Sequence, residues 1–201
     1  MSTFAMRRSA PASVAVGASE EATAVVRDIT YSTKDSAHNA DIINYTNEKQ
    51  DFAVAFTNGA DWNGSASGVN LDVLLEGADT VWTGSYDEGT IDGTGLSIEI
   101  NDGATWKVQD KPASKAKAAG TTNVKTMKGN GGFVEMGTDN MNIGTYSGST
   151  TFIYENQDGN ITGGNVTIGD ALENSAVTMR TNYHTSFEDE TTRDEAMDAL
   201  A

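Results

Sequence analysis

Apolar and polar residues alternate with a period of two through a series of short runs. "DFAVAFT" (51–57) places Phe52, Val54 and Phe56 on one face and the small residues Ala53 and Ala55 on the other. "LDVLL" groups Leu71, Val73 and Leu75, and "LSIEIND" groups Leu96, Ile98 and Ile100 opposite Ser97, Glu99 and Asn101. "ATWKV" puts Ala104, Trp106 and Val108 together, with Thr105 and Lys107 facing away. The pattern resumes with Val134 and Met136, then Phe152 and Tyr154 (Ile153 on the other face), Val166 and Ile168, and Val177 and Met179 opposite Thr178 and Arg180. A side-chain period of two predicts half-buried strands. The clusters between them, "NQDGN", "TGGN" and "GDALENS", supply residues that tolerate positive φ at tight corners.

One phrase recurs: "GADWNG" (59–64), "GADTVWTG" (77–84) and "GATWKV" (103–108). Each of the three tryptophans follows a Gly-Ala pair, and Trp62, Trp82 and Trp106 are spaced by 20 and 24 residues. Repeats of that length, each with two or three short strands and corner turns, predict a parallel β-solenoid in which like residues stack on like. The rival is an antiparallel sandwich, which also shows turn signals at short intervals. On the solenoid reading, glycine turns the chain and tryptophan enters the core or a stacked aromatic ladder. The other use for such tryptophans is an exposed sugar platform.

Composition narrows the setting. Leu, Ile, Val and Phe make up 35 of 201 residues and the formal charge is −16, a combination that warns of disorder. The clean alternation argues for a folded region regardless. The acidity opposes nucleic-acid binding, which rests on basic residues. Cysteine is absent, which removes disulfides and thiol-based sites. No run is long and apolar enough for a membrane span.

Residues 1–22, Ala/Ser-rich, are expected as a flexible tail; "MRRSAPASVAVGA" lacks the Leu/Phe-rich centre of a signal peptide. Residues 23–185 form the expected solenoid. Six of the thirteen basic residues fall within 107–128, and Pro112 and "SKAKAAG" break strand character, so an exposed basic loop is expected over 109–125. Such a loop suits an anionic partner or simple solvation. Residues 186–201 read as an acidic linker and a short C-terminal helix. Thr192 and Glu195 form a capping box, followed by an apolar stripe of Ala196, Met197, Ala199 and Leu200. The sequence stops within this helix, so a fragment of something longer is expected.

The phrases "LSIEINDGATWKV", "MKGNGGFVEMGTDN" (127–140) and "GSTTFIYENQDGNITGGNVTIGDALENSAVTMRTN" (148–182) resemble the rungs and repeat units of bacterial autotransporter passenger domains, the pertactin-like and AIDA-type adhesins. The resemblance is stronger over 95–181 and weaker over 25–94. It implies a right-handed parallel β-helix displayed on, or shed from, the surface of a Gram-negative bacterium. The implied location is extracellular or outer-membrane-associated, and the implied partners are a host glycan, a surface protein or another copy. The sequence departs from the family in lacking the series of alternating segments that would build its outer-membrane barrel.

Catalytic chemistry has thin support, and no catalytic, cofactor-binding or metal site is expected. His38 and His184 are the two histidines; His184 lies near Glu188 and Asp189 but reads as a surface turn residue. "GSASG" (64–68) has Ala66 where a nucleophile elbow needs serine. Two distant histidines and no cysteine argue against a zinc site. The carboxylate-bearing turns at 86–93 and 156–160 match no calcium loop and read as Asx turns. Outward acids Asp72, Glu99, Glu135 and Glu155 are the candidates for a carbohydrate-active β-helix, a lyase or glycosidase, which needs two suitably spaced carboxyls. Asn44, Asn63, Asn160 and Asn165 begin glycosylation-type sequons. The expected function is a non-enzymatic adhesive or structural module; the alternatives are that enzyme and a purely structural piece without a ligand.

Overall fold

A computed structural model of the chain describes residues 12–16, 29–31, 37–45, 48–90, 92–109 and 120–184. They hold sixteen strands and no helix. In chain order these are β1 (Ala12–Val16), β2 (Ile29–Tyr31), β3 (Ala37–Asn44), β4 (Asp51–Thr57), β5 (Asp61–Asn63), β6 (Ala66–Ser67), β7 (Asn70–Glu76) and β8 (Val81–Gly84). There follow β9 (Tyr86–Asp87), β10 (Gly95–Asn101), β11 (Thr105–Val108), β12 (Thr121–Glu135), β13 (Asn140–Gln157), β14 (Asn160–Thr162), β15 (Val166–Ala171) and β16 (Ala176–His184).

Pairing builds three ladders of stacked strands. The first runs β2-β4-β7-β10-β12-β13-β15, the second β3-β5-β8-β11-β12-β13-β16, and the third β1-β3-β6-β9. The long strands β3, β12 and β13 each serve two ladders. Every pair is parallel except the β13–β14 hairpin. This all-β parallel arrangement replaces the antiparallel sandwich as the reading of the turn spacing.

In-register stacking turns the alternation of each strand into columns across tiers. Phe52, Leu71, Leu96, Val124, Ile143 and Ile168 form one. Val54, Val73, Ile98, Met127 and Tyr146 form the next. In the second ladder His38, Trp62, Trp82, Trp106, Val134, Phe152 and Met179 are aligned. The third ladder supplies Ile42, Ala66 and Tyr86. These columns, from Phe52 to Phe152, meet in one continuous buried core. Strands β4, β7, β10, β12 and β13 each turn one apolar face into it, so core and ladder are two views of the same periodicity.

Corners between the first and second ladders are tight turns. Asn58–Gly59 and Asp102–Gly103 both have positive φ (56° and 80°, 52° and 82°). Ala60 N–H and Ala104 N–H close the two turns onto Thr57 and Asn101 carbonyls at 3.2 and 3.0 Å. Asn, Asp and Gly are the residues that accept this conformation without strain.

Several expectations are revised. Ala12–Val16, within the stretch read as a tail, is a strand parallel to Ala40–Asn44. The lysine-rich interval is not all loop: Lys107 lies in β11, and Lys125 and Lys128 lie in β12. Val177 and Met179 face inward by register but are 43% and 65% exposed, because β16 is the last strand of its ladder among the described residues. Ile153, assigned to the outer face, is nevertheless buried. The expected C-terminal helix and most of the basic loop lie outside the described residues.

Candidate functional site

The tryptophans are the first candidates, and they are core. Trp62, Trp82 and Trp106 are 1%, 0% and 0% exposed, which removes them as a sugar platform. Their rings stack at centroid distances of 4.7 Å for both pairs, with interplanar angles of 11° and 3°. That distance is the spacing of hydrogen-bonded strands, so the ladder sets the stack. Phe56 extends it, 5.3 Å from Trp62. Each indole N–H donates to a carbonyl of the preceding tier: Trp62 to Ala40 at 2.8 Å, Trp82 to Gly64 at 2.9 Å and Trp106 to Gly84 at 3.1 Å. A buried indole N–H needs such a partner.

The repeated phrase changes meaning under this register. A Cβ on Gly64 would lie 1.9 Å from the Ala40 oxygen, and one on Gly84 would lie 1.8 Å from the Gly64 oxygen. The unit shared by the first two repeats is therefore Trp-x-Gly, with the glycine leaving room for a neighbouring carbonyl. The Gly-Ala pairs are not equivalent: Thr80, two residues before Trp82, occupies the position that Ala60 and Ala104 hold before Trp62 and Trp106. One extra residue, between Glu76 and Trp82, is taken up at the corner, where Thr80 Oγ1 donates to Glu76 O at 2.7 Å and accepts from Gly59 N–H at 3.0 Å.

The outer face of the first ladder carries a shallow groove of about 500 Å³. Two rows of outward residues line it. One is Ala53, Asp72, Ser97 and Thr126; the other is Ala55, Leu74, Glu99 and Lys128. Glu76 and Asn101 close one side. The depression arises because β4 places only methyl groups outward, at Ala53 and Ala55, beside longer side chains in the next three tiers. At strand spacing, four tiers give a length of about 14 Å. Glu99 Oε1 accepts from Asn101 Nδ2 at 2.9 Å. Among the described residues, the carboxylates of Asp72 and Glu76 have no hydrogen-bond or ion-pair partner. Glu99 stands opposite Leu74, diagonal to both Asp72 and Glu76, a backbone separation of about 8 Å. The site thus presents acceptor carboxylates and hydroxyls over a small apolar floor, with one cation, Lys128, at its edge.

Of the four acids singled out in the sequence, the structure brings Asp72 and Glu99 together and keeps the other two apart. Glu135 pairs with Lys107 at 3.3 Å on the second ladder, and Glu155 accepts from Asn182 Nδ2 at 3.4 Å. Glu76 completes the groove and was missed, although it follows Asp72 and Leu74 on the same outward row of "LDVLLE". His38 heads the tryptophan column, its ring 6.0 Å from Phe56. His184 ends β16, and Glu188 and Asp189 lie outside the described residues. Ala66 is buried in the third ladder.

In the turn at 86–93, Asp87 Oδ1 accepts from Gly89 N–H at 3.1 Å and Glu88 from Asn123 Nδ2 at 3.1 Å. The turn at 156–160 is a hairpin through Asp158 and Gly159, both of positive φ. Among the described residues no three His, Asp or Glu side chains group as metal ligands. The Asn44 amide is committed to Glu48 and Gly68 carbonyls, whereas Asn63, Asn160 and Asn165 are exposed. No helix among the described residues is long and apolar enough to cross a membrane.

The chain matches no protein-family model, no curated protein and no solved structure.

Proposed function

We propose that the chain is a right-handed β-helix of the autotransporter-passenger type, working as a non-enzymatic adhesive or spacer module at a bacterial surface or after release from it. The observation that carries this reading is the continuity of the core columns from tier to tier, kept across the bulges of β12, with the tryptophan stack among them. Parallel tiers locked one on the next make a stiff, extended body suited to display. Right-handedness follows the rule for connections between parallel strands of one sheet, obeyed in about 98% of cases. The groove over β4, β7, β10 and β12 is the contact surface of the proposed module. Its carboxylates and hydroxyls suit the hydroxyls of a host glycan or the polar groups of a surface protein.

Binding of the purified chain to a glycan array and to cultured host cells tests the proposal, with Ala55→Trp filling the groove. Saturable binding that Ala55→Trp abolishes at unchanged Tm is the expected result. Absence of binding to every surface removes the adhesive function and leaves a spacer.

The diagonal placement of Glu99 relative to Asp72 and Glu76 favours one second reading, a carbohydrate-active β-helix, because glycoside hydrolysis needs carboxyls about 5–9.5 Å apart. Turnover of a polysaccharide panel that Glu99→Gln eliminates would establish it in place of adhesion.

A further inference from the structure

Of the four Asn-x-Ser/Thr sequences, the fold leaves one standing clear. Asn44 is taken: its amide donates to the Glu48 and Gly68 carbonyls at 2.8 and 2.9 Å. The Asn63 sequence is built into the stack. β5 is paired on both edges, by β3 and β8, Gly64 N–H donates to Thr83 O at 3.0 Å, and the Ser65 hydroxyl accepts from Ser85 N–H at 3.1 Å. The Asn165 sequence is tied to the neighbouring tier. Asn165 N–H donates to Asn140 Oδ1 at 2.8 Å, its carbonyl accepts from Met141 N–H at 2.8 Å, and the middle residue, Val166, packs against the core.

Asn160, Ile161 and Thr162 make up β14, which among the described residues pairs with the end of β13 alone. All three are exposed. Asn160 follows the two-residue turn of Asp158 and Gly159, whose φ values of 51° and 87° suit a tight hairpin. A Cβ on Gly159 would meet nothing within 4 Å, so the tip projects into open space. Strand alternation puts Asn160 and Thr162 on one face. Their cross-strand partners are Gln157 and Glu155. Both are engaged elsewhere: Gln157 Nε2 donates to Asp158 Oδ2 at 3.0 Å, and Glu155 Oε1 accepts from Asn182 Nδ2 at 3.4 Å. The Asn160 amide has no hydrogen-bond partner among the described residues, and Thr162 Oγ1 keeps only a long contact of 3.5 Å to the Glu155 carbonyl. Ile161, between them, is 63% exposed, so lifting β14 off β13 uncovers no core.

We propose that Asn160 is the acceptor for an N-linked oligosaccharide. In the transfer, Asn160 Nδ2 bonds to C1 of the first sugar of a polyprenyl-pyrophosphate-linked oligosaccharide. The bond between C1 and the pyrophosphate oxygen breaks, polyprenyl pyrophosphate leaves with that electron pair, and the amide gives up one proton to a carboxylate of the transferase. The Thr162 hydroxyl, on the same face, is the group by which the transferase tells this asparagine from others. The inference rests on the surface location proposed above for the encounter with such a transferase; the groove plays no part in it.

The folded full chain, incubated with a purified oligosaccharyltransferase and a polyprenyl-pyrophosphate-linked oligosaccharide, should gain one oligosaccharide, mapped to Asn160 by peptide mass spectrometry. Transfer there should be at least about tenfold faster than at Asn63 or Asn165, which the transferase reaches only by local opening of the stack. Synthetic peptides spanning 60–68, 155–164 and 162–170 give the rates without the fold, and these should differ less than the rates in the folded chain. Asn160→Gln should remove the mass shift, Thr162→Ser should keep it and Thr162→Val should lose it, each at unchanged Tm. A folded chain left unmodified while the 155–164 peptide is modified would show the hairpin shut to the transferase. Equal rates at Asn63, Asn160 and Asn165 in the folded chain would show that the fold selects nothing, and failure of both chain and peptide would show that the sequence is no acceptor. Each of these three results overturns the proposal. Groove binding is read on the unmodified chain, so a blank glycan array leaves the acceptor standing and a lack of transfer leaves the adhesive reading standing.

Discussion

Trp82 and Trp106 lie 4.7 Å apart with their ring planes 3° from parallel, and each ties its own tier to the one before through an indole N–H. Trp82→Phe keeps a ring in the column but removes the bond to Gly64 and leaves that part-buried carbonyl without its indole partner. The expected loss is about 2–4 kcal/mol of unfolding free energy, from packing and the orphaned acceptor together. Urea denaturation followed by far-UV circular dichroism reads it. A loss under about 1 kcal/mol would mean that the stack is incidental to stability.

Gly84→Ala tests the neighbouring carbonyl. The added methyl would meet the Gly64 oxygen at 1.8 Å and Trp82 Nε1 at 2.7 Å, so two tiers have to part. About 3 kcal/mol or more of destabilisation is expected. Gly95→Ala is the control. Its Cβ meets nothing closer than 3.4 Å, and its cost should stay within about 1 kcal/mol. Similar melting temperatures for the two variants would contradict the Trp-x-Gly explanation.

Thr150 presents the opposite case, a buried hydroxyl with no hydrogen-bond partner among the described residues. Thr150→Val replaces it with a methyl group of nearly the same shape. Stability should hold or rise by about 1 kcal/mol, because no hydrogen bond is lost and a polar group leaves the core. A fall of comparable size in a denaturant titration would show that an ordered water serves the hydroxyl.

Tyr86 gives the stack an alkaline limit. Its hydroxyl donates to the Val69 carbonyl at 2.7 Å. Burial drives its pKa well above the ordinary 10.0; a hydrogen bond with Thr94 pulls the other way, and the charges of Glu88 and Asp87 add to the rise. A phenol whose folded pKa exceeds the unfolded one contributes stability that is complete below the unfolded value. It is lost as pH climbs from there toward the folded value. Stability should therefore decline above about pH 10. Tyr86→Phe should flatten that decline while costing about 1–2 kcal/mol at neutral pH. Parallel declines in both proteins from pH 9 to 11.5 would assign the limit to other groups.

Much of this fold is legible wherever the period of two runs undisturbed. Phe52, Val54 and Phe56, then Leu71, Val73 and Leu75, then Leu96, Ile98 and Ile100 are all buried as their alternation requires. The reading fails over β12 and β13 for a definite reason. Leu96 pairs with Val124 but Ser97 pairs with Thr126, so Lys125 is an extra residue that bulges from the ladder. Across the bulge the inward residues are Val124 and Met127, and in the next tier Ile143 and Tyr146, each pair three apart. A three-residue step hides the strand, and Lys125 and Lys128 on its outer side make it read as loop. The groove was half visible. Asp72 and Glu99 follow from local alternation, but the depression depends on Ala53 and Ala55 standing beside them, and lateral register is not written in any single strand.

The Thr80 corner has a mechanical corollary. Each tier is bonded only to those directly above and below it, so a pull on the two ends of the chain is borne by one boundary at a time. Such a body unspools stepwise under tension, in increments of one tier's contour length, instead of rupturing at once. At the tier of Trp82, the Thr80 hydroxyl, bridging Glu76 and Gly59, fastens the lengthened corner to its neighbour. Thr80 would then be felt as a catch in the force trace, a place where unwinding pauses before the tryptophan stack gives way.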